Sequence, residues 1–560
     1  MSTPFTPPSP GAWELEQTHM TRPLTVFAQG FYGPQMMRGF ADGTRDYGAL
    51  LDHLEVAIIN RFVYMAPRPV GAPKGAKGPP PRPVFKLMTL LHPEMRRRIR
   101  RAEQVFADRT WRQDVARWHQ QVKPAMATQA RALREEDPNR ATDAELSDHV
   151  MRCVEFLKTA IYTHHRFNMC AVIPVGDFIV HVTDWTGESP SAILQALRGR
   201  SPASTGAAGE IEAIRVALER DPSARGVLES RAPAAEVIAT LEQWPEPVGP
   251  AVRCYLDVVG LRVVGGYDVG EPHAREHPEL LVSVLRRALG NDVGPHQDER
   301  ARLVDALRRK VPAAHQTAFD ALLEEAALVY PIRDERMLHG DALATGMARR
   351  AILAAGERLN GRGLVERPEH LVDASPEEIV ALLHGRPGPP RSEIAERYRW
   401  RTETPLSSAP PRLGLPPSAP PPADWLPPAA ARLQRAVDVV LALMFEPRTS
   451  PRDEPSLKGF GVSPGIYEGP ARVIRRVDEL TQVQSGDVLI ASTTGPTFNV
   501  VLPLLGALVT ERGGALSHAA IVAREYGLPG VVGCLGVTQA VRSGNRVRVD
   551  GGTGEVWIVR

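Results

Sequence analysis

The sequence is poor in cysteine, in net charge and in long apolar runs. Four cysteines (Cys153, Cys170, Cys254 and Cys534) lie far apart in 560 residues, with no CxxC pair and no metal-ligand spacing. That argues against a disulfide framework or a bound metal and fits buried thiols in a reducing compartment. The formal net charge is only +2, which argues against a general nucleic-acid binder. A local basic patch remains open: Arg96–Arg98 with Arg100 and Arg101 form either a solvated helix face or a docking surface for an acidic partner. The longest apolar runs, such as Val500–Val509, are too short to cross a bilayer. The polar, proline-rich start lacks the character of a signal peptide. A cytoplasmic protein with no membrane or nucleic-acid partner is expected. No internal repeat is visible.

Proline is what the chain has in abundance, 52 residues, and its distribution punctuates the sequence. Residues 1–403 read as a mainly α-helical body. Thr142 and Glu145 have the spacing of a capping box, and Leu146, Val150, Val154, Leu157 and Ile161 then make one apolar face. Ser375, Pro376, Glu378 and Gly385 bracket a second helix, and Ala342–Leu359 reads as a third. Residues 170–182 (CAVIPVGDFIVHV) read as one or two strands or a buried apolar loop. Residues 404–455 form a proline-rich linker carrying one helix, Ala429–Phe445. Its proline-dense part favours extended conformations reaching roughly 75 Å. Residues 456–560 turn to short β-branched runs broken by glycine: Ala471–Ile474, Asp487–Ile490, Ala507–Thr510, Val531–Val532, Arg546–Val549 and Glu555–Val559.

The sharpest local signal runs from Thr510 to Pro529. A strand ends at Thr510, and Gly513-Gly514 open a loop with backbone freedom closed to other residues. Ser517 is a good N-cap, so His518 falls in the first helical turn, and Gly527 with Pro529 end the helix. A helix N-terminus favours an anion, and Arg512 and Arg524 are near enough in sequence to offset more charge. The residues alone leave two readings: His518 caps or packs at a helix start, or it carries a phosphoryl group on its imidazole.

GGALSHAAIVAREYGLPGVVG, from Gly513 to Gly533, resembles the signature of the swivelling phosphohistidine domain of PEP-utilising enzymes. That family includes phosphoenolpyruvate synthase, pyruvate phosphate dikinase and rifampin phosphotransferase. The similarity extends over 458–560. It implies a C-terminal swivelling β/β/α domain in which His518 accepts and passes on a phosphoryl group, helped by Arg512, Gly513, Gly514, Ser517 and Arg524. Family members often carry Asp-Pro where this chain has Gly495-Pro496, which bears on how the domain docks. Trp13, Glu16 and His19, within WELEQTHMTRPLT, resemble the opening of the acceptor-binding part of rifampin-phosphotransferase-like proteins, and Arg333–Arg336 fit that part too. The other reading of Trp13, Glu16 and His19 is an ordinary packed turn.

Two elements of those relatives are not recognisable. No (β/α)₈ barrel is recognised after the histidine domain in this sequence, and no ATP-grasp domain before it. Gly265-Gly266-Tyr267-Asp268-Val269-Gly270 does not stand before a helix, as a phosphate loop requires. The layout resembles phenylphosphate synthase, whose histidine and ATP-binding subunits are separate. This resemblance implies a phosphotransferase component that receives its phosphoryl group from a separate ATP-grasp protein, with ATP and Mg²⁺ bound on that partner, and gives it to a small-molecule acceptor. A non-catalytic regulatory protein retaining the swivelling fold is the alternative. His164 and His165 are further candidates for the acceptor site. Asp177, His181 and Asp184 are weighed as cavity residues against structural roles.

Overall fold

The computed structural model describes residues 4–17, 19–20, 22–201, 207–264, 266–288, 297–445, 457–495, 498 and 501–559. The chain forms two compact units, each assembled from segments distant in sequence. The first holds Met1–Asp177, Gly266–Glu271 and Glu335–Asp438, and the second Phe178–Gly265, Pro272–Asp334 and Val439–Arg560. The partition follows contacts rather than composition, so helical segments from the middle of the chain group with the C-terminal sheet.

The first unit contains a four-stranded sheet at the start of the chain. Strands β1 (Ala12–Leu15), β2 (Leu51–Ile59), β3 (Phe62–Pro69) and β4 (Arg412–Gly414) lie in the order β2-β3-β1-β4. Every neighbour is antiparallel. A two-residue turn, Asn60-Arg61, joins β2 to β3 with both φ angles positive, the geometry that matches strand twist in a tight hairpin. β4 lies inside the proline-dense segment expected to be an extended spacer. Its pairing with β1, Trp13 opposite Leu413, ties that part of the segment to the sheet.

Helices supply most of the remaining mass of this unit. The capping box at Thr142 is complete, with Glu145 bonded back to the Thr142 backbone, and opens the helix Asp143–Arg166. Ser375 and Glu378 make a second complete box. The helix Tyr32–Tyr47 packs on Asp143–Arg166 with almost no gap, because a Cβ at Gly39 would lie 2.5 Å from the Tyr162 carbonyl oxygen. Tyr162 Oη then reaches Asp42 Oδ2 at 2.9 Å.

Residues 170–182 are a correction. They lie within one helix, Asn168–Thr186, rather than in strands or a loop. The segment is buried on nearly every side, so it shows no polar stripe from which a helical period could be read. Asp177 on this helix is no cavity acid: it receives a bidentate ion pair from Arg432 at 2.8 and 2.6 Å. His181 lies on the same helix and packs against Trp185. In the basic cluster Arg98 is buried, bonded to Glu94 and to the Ala49 carbonyl. Arg96, Arg97 and Arg100 remain exposed.

The second unit carries an eight-stranded sheet. Its strands are β5 (Leu457–Lys458), β6 (Phe460–Ser463), β7 (Ile466–Ile474), β8 (Val488–Ala491), β9 (Ala507–Thr510), β10 (Gly530–Val532), β11 (Arg546–Asp550) and β12 (Glu555–Val559). The order is β5-β12-β11-β7-β8-β9-β10-β6. β7 to β10 run parallel, and the other pairs are antiparallel. β5 and β6 end the order on opposite sides, yet only Gly459 separates them in sequence. One residue spans only about 3.8 Å between Cα atoms, so the sheet curls round on itself. Its interior is dominated by valine, including Val473, Val488, Val509, Val531, Val547 and Val549, as expected of strands buried on one or both faces. A separate helical core, built on Leu218, Leu241, Tyr255 and Leu281, belongs to the same unit.

Candidate functional site

His518 is the first residue of the helix His518–Tyr526. β9 delivers the chain to Thr510, whose hydroxyl donates to the Arg512 carbonyl at 2.8 Å. Gly513 has φ +105°, a region other residues rarely occupy. Gly514 is required for a different reason: a Cβ there would lie 1.8 Å from the Leu443 carbonyl oxygen. Ser517 caps the helix, its Oγ accepting the Ala520 N–H. Gly527 closes it in the left-handed conformation, and the Leu528 N–H returns to the Ala523 carbonyl at 2.9 Å.

The imidazole is partly buried. Burial pushes its pKa down to about 4 against the pull of Asp334, while Arg333 lowers it further and a hydrogen bond with the Gly495 backbone opposes that. The ring is therefore neutral at pH 7 and keeps one nitrogen lone pair for bonding to phosphorus. Asp334 is itself fixed: it is 3% exposed, and Ser201 Oγ donates to its Oδ2 at 2.7 Å. Asp334 and Arg333 stand side by side at the end of the helix Gln316–Arg336. The family resemblance took in Arg333–Arg336 without assigning these two a role beside the histidine. Gly495 reaches the ring through its backbone, a contact that does not depend on the residue's side chain. Pro496 lies outside the described residues.

Arg524 is a correction to the phosphate-stabilising set. It is 1% exposed, and its Nη1 donates to the carbonyls of Ala515 at 2.8 Å and Val462 at 3.5 Å. Its Nη2 donates to Tyr330 Oη at 3.4 Å. Six residues on from His518, this guanidinium buttresses the loop from inside. Arg512 is half-buried, and its backbone N–H is held by the Ser492 carbonyl. Next to Arg524, Glu525 accepts the Gly199 N–H at 2.7 Å, and burial pushes its pKa up to about 7.

The possible acceptor residues fall into two groups within the first unit. Trp13 is a correction: it is buried in the sheet core with Phe62, Tyr64 and Leu413, its Nε1 donating to the Ser9 carbonyl. Glu16 and His19 lie just beyond that strand. The buried Glu16 carboxylate accepts the His19 backbone N–H at 3.0 Å and faces its Nδ1 at 3.1 Å. His19 in turn meets Tyr267 edge-on, ring centres 5.0 Å apart. His19, Arg22, Tyr267, Asp268, Glu271 and Arg401 line a small recess of about 10 Å³. The glycine-containing stretch that failed as a phosphate loop thus supplies a wall of this recess. Gly265 lies outside the described residues.

His164 and His165 do not line this recess. His165 is structural: its Nδ1 bonds the Ile161 carbonyl at 2.7 Å, and burial lowers its pKa to about 3. His164 Nδ1 contacts Asp341. Asp341 ends a π-helical turn, Met337–Asp341, closed by the Ala342 N–H on the Met337 carbonyl. Such one-turn irregularities redirect side chains, and burial pushes the pKa of Asp341 up to about 7. No pattern in the sequence marks that turn.

Two family models match the chain. The PEP-utilising enzyme mobile domain covers residues 483–554, and the rifampicin phosphotransferase fourth domain covers 174–334. The chain carries the mobile domain of the PEP-utilising enzymes. His518, Gly513, Gly514 and Ser517 all fall inside this mobile domain, and Asp334 is the last residue matched by the fourth-domain model. The uncharacterized phosphotransferase YvkC of Bacillus subtilis (strain 168) is 27% identical over 72% of this chain and 48% of its own length. A rifampicin phosphotransferase of Streptomyces sviceus is 27% identical over 55% of this chain and 34% of its own. A probable phosphoenolpyruvate synthase of Pyrococcus abyssi is 44% identical over 101 residues, 18% of this chain and 12% of its own. The chain spans about half or less of the length of these relatives. Among the described residues no helix is long and apolar enough to cross a membrane.

Proposed function

We propose that this chain is a phosphotransferase component in which His518 carries a phosphoryl group from an ATP-grasp protein to a small-molecule hydroxyl. The observation that carries the reading is the placement of His518. A neutral imidazole opens a capped helix behind a glycine turn, inside the matched mobile domain. The helix N-terminus favours the anion formed on phosphorylation. Arg333 stands close enough to the ring to influence its charge and offers further compensation. Asp334, anchored by Ser201, orients the imidazole and steadies positive charge on it during transfer.

ATP and Mg²⁺ belong on the partner in this scheme. Phosphoryl transfer depends mainly on positioning and charge stabilisation, and a carrier histidine supplies both without a nucleotide site of its own. Phosphotransferase relatives over more than half of the chain support an enzyme rather than a binding protein.

Incubation with the ATP-grasp partner, ATP and Mg²⁺ should add one acid-labile phosphoryl group, located at His518 by mass spectrometry. The His518→Ala chain should gain none. Equal labelling of the two chains refutes the assignment. Potassium phosphoramidate, a direct phosphoryl donor to imidazole, makes the same comparison independently of the partner.

A further inference from the structure

We infer that the helix Arg82–Leu91, with the exposed arginines of the helix after it, is a docking surface for a protein partner whose own face is an apolar strip edged with carboxylates. The inference is independent of the carrier reading of His518.

The argument starts from apolar side chains left in water. Val84, Leu87, Leu90 and Leu91 are 48%, 54%, 66% and 66% exposed. They are four of the ten exposed large apolar side chains among the described residues, and all four lie on one ten-residue helix. Single exposed leucines are ordinary, whereas a contiguous apolar patch marks an interaction surface. Val84 and Leu87, Leu87 and Leu90, and Leu87 and Leu91 are pairs three or four residues apart. The four therefore make one continuous patch around Leu87.

Packing fixes this patch outward. Phe85, on the other side of the helix, is buried and meets Trp425 with ring centres 5.9 Å apart. Thr89 is buried too, its hydroxyl donating to the Lys86 carbonyl at 2.7 Å. The His92 N–H donates to the Met88 carbonyl, and His92 Nδ1 accepts the Met95 N–H. One residue thus closes this helix and opens the next, Pro93–Asp108. A patch held on such a fixed element loses little conformational freedom when a partner covers it.

The border sets the sign of the partner. Lys86, four residues before Leu90, is exposed along one edge. Beyond Leu91 the next helix exposes Arg96, Arg97 and Arg100, while Arg98 turns inward. Glu94, the acid among them, is engaged by Arg97 and Arg98. Bases outnumber acids along this border, so it favours carboxylates on whatever covers it.

Two other occupants fit less well. A second copy of this chain would bring a second set of the same bases to the contact, and like charges oppose it. An anionic membrane presents one sign of charge throughout. It would meet Asp424, beside Arg82, and the exposed Glu103 on the arginine helix as well as the bases. A protein can set an acid against each base and spare those two positions.

The experiment uses the full chain and a fluorescent, hydrocarbon-stapled helical peptide with leucines along one face and glutamates on both edges. The peptide should bind, and more weakly as salt rises, because screening reduces charge contacts. Its counterpart with lysines for glutamates should bind about tenfold more weakly or worse. Leu87→Ser with Leu91→Ser should weaken binding of the glutamate peptide by about tenfold or more. Lys86→Glu with Arg96→Glu should reverse the preference between the two peptides. Ile558→Ser, an exposed apolar position in another element, should change nothing. All these side chains are exposed, so unfolding midpoints should match the wild type, which separates lost docking from lost fold. No binding of the glutamate peptide, equal binding of the two peptides, or unchanged binding in the leucine variant overturns the inference. A concentration-dependent dimer abolished by the leucine variant also overturns it and assigns the patch to a second copy. Leucine-dependent sedimentation with phosphatidylcholine–phosphatidylglycerol vesicles overturns it in favour of a membrane surface.

Discussion

Arg524 Nη1 donates to the carbonyl oxygen of Ala515 across 2.8 Å, so the helix that begins with His518 also holds the loop leading into it. The bond is buried, and the same guanidinium spans to Val462 and Tyr330. Replacing Arg524 with Met keeps much of the bulk and strips every donor. The Val462 carbonyl keeps a bond from Gln195 Nε2, and leaving the Ala515 carbonyl unpaired in the interior costs about 1–3 kcal/mol. Arg524→Met should lower the urea midpoint and reduce phosphoramidate labelling of His518. A stable variant with full labelling would show that the buried guanidinium is dispensable to the loop.

Gly514 leaves no room for a side chain. Its would-be Cβ sits 1.8 Å from the Leu443 carbonyl, and backbone cannot give way as a flexible side chain does. Gly514→Ala should therefore shift the loop bearing His518 and destabilise the second unit by about 1–3 kcal/mol or more. Gly536, where an added Cβ meets nothing within 4 Å but φ is +79°, should tolerate Asn, a residue that accepts positive φ. Thermal unfolding of Gly514→Ala and Gly536→Asn in parallel separates crowding from backbone conformation.

The pH profile of His518 modification should be displaced toward acid. An imidazole in water is half-protonated near pH 6.5, whereas this one, shielded by burial with Asp334 and Arg333 facing it, is held at about 4. The rate of phosphoramidate labelling, corrected for the donor's own titration, should stay level from pH 8 down to about 5. A decline centred on 6.5 would mean that the ring is open to water. Asp334→Asn removes the influence that raises the pKa, so its profile should extend further into acid.

Asp341 makes the opposite contribution to stability. Burial raises its pKa from 3.8 to about 7, with His165, Arg336 and His19 pulling the other way and His164 in contact. The folded state thus binds the proton more tightly than the unfolded chain. The stabilisation is complete below about pH 4 and is lost as pH rises toward 7, with a slope of at most ~1.4 kcal/mol per pH unit. Denaturant titrations at pH 5, 6, 7 and 8 should show this decline in the wild type and a flatter profile in Asp341→Asn. Parallel profiles would show that the carboxyl titrates normally.

Local rules were legible wherever the information is local. The capping boxes at Thr142 and Ser375, the Ser517 cap and the Gly527 stop are read from residues three to ten positions apart, and each forms in the structure. The bounds of β9 and β12 were read correctly because β-branched runs between glycines need no partner to be recognised. The helix Asn168–Thr186 was not legible, since a segment buried all round has no stripe. Nor was β4, whose strand character comes from its pairing with β1 400 positions earlier. The roles of Trp13 and Arg524 went the same way: each is a plausible site residue by type, but packing committed one to a core and the other to carbonyls.

The amino-acid sequence by itself determined that an imidazole would stand at the start of a capped helix behind two glycines, because helix caps and turns are written in neighbouring residues. Only the tertiary structure decided what surrounds that imidazole and what lines the recess by His19. Asp334 comes from 184 positions before His518, and Tyr267, Asp268 and Arg401 come from far beyond His19 in the chain. Burial, which moves the proton affinities of His518 and Asp341, belongs to the packed chain and to no residue alone.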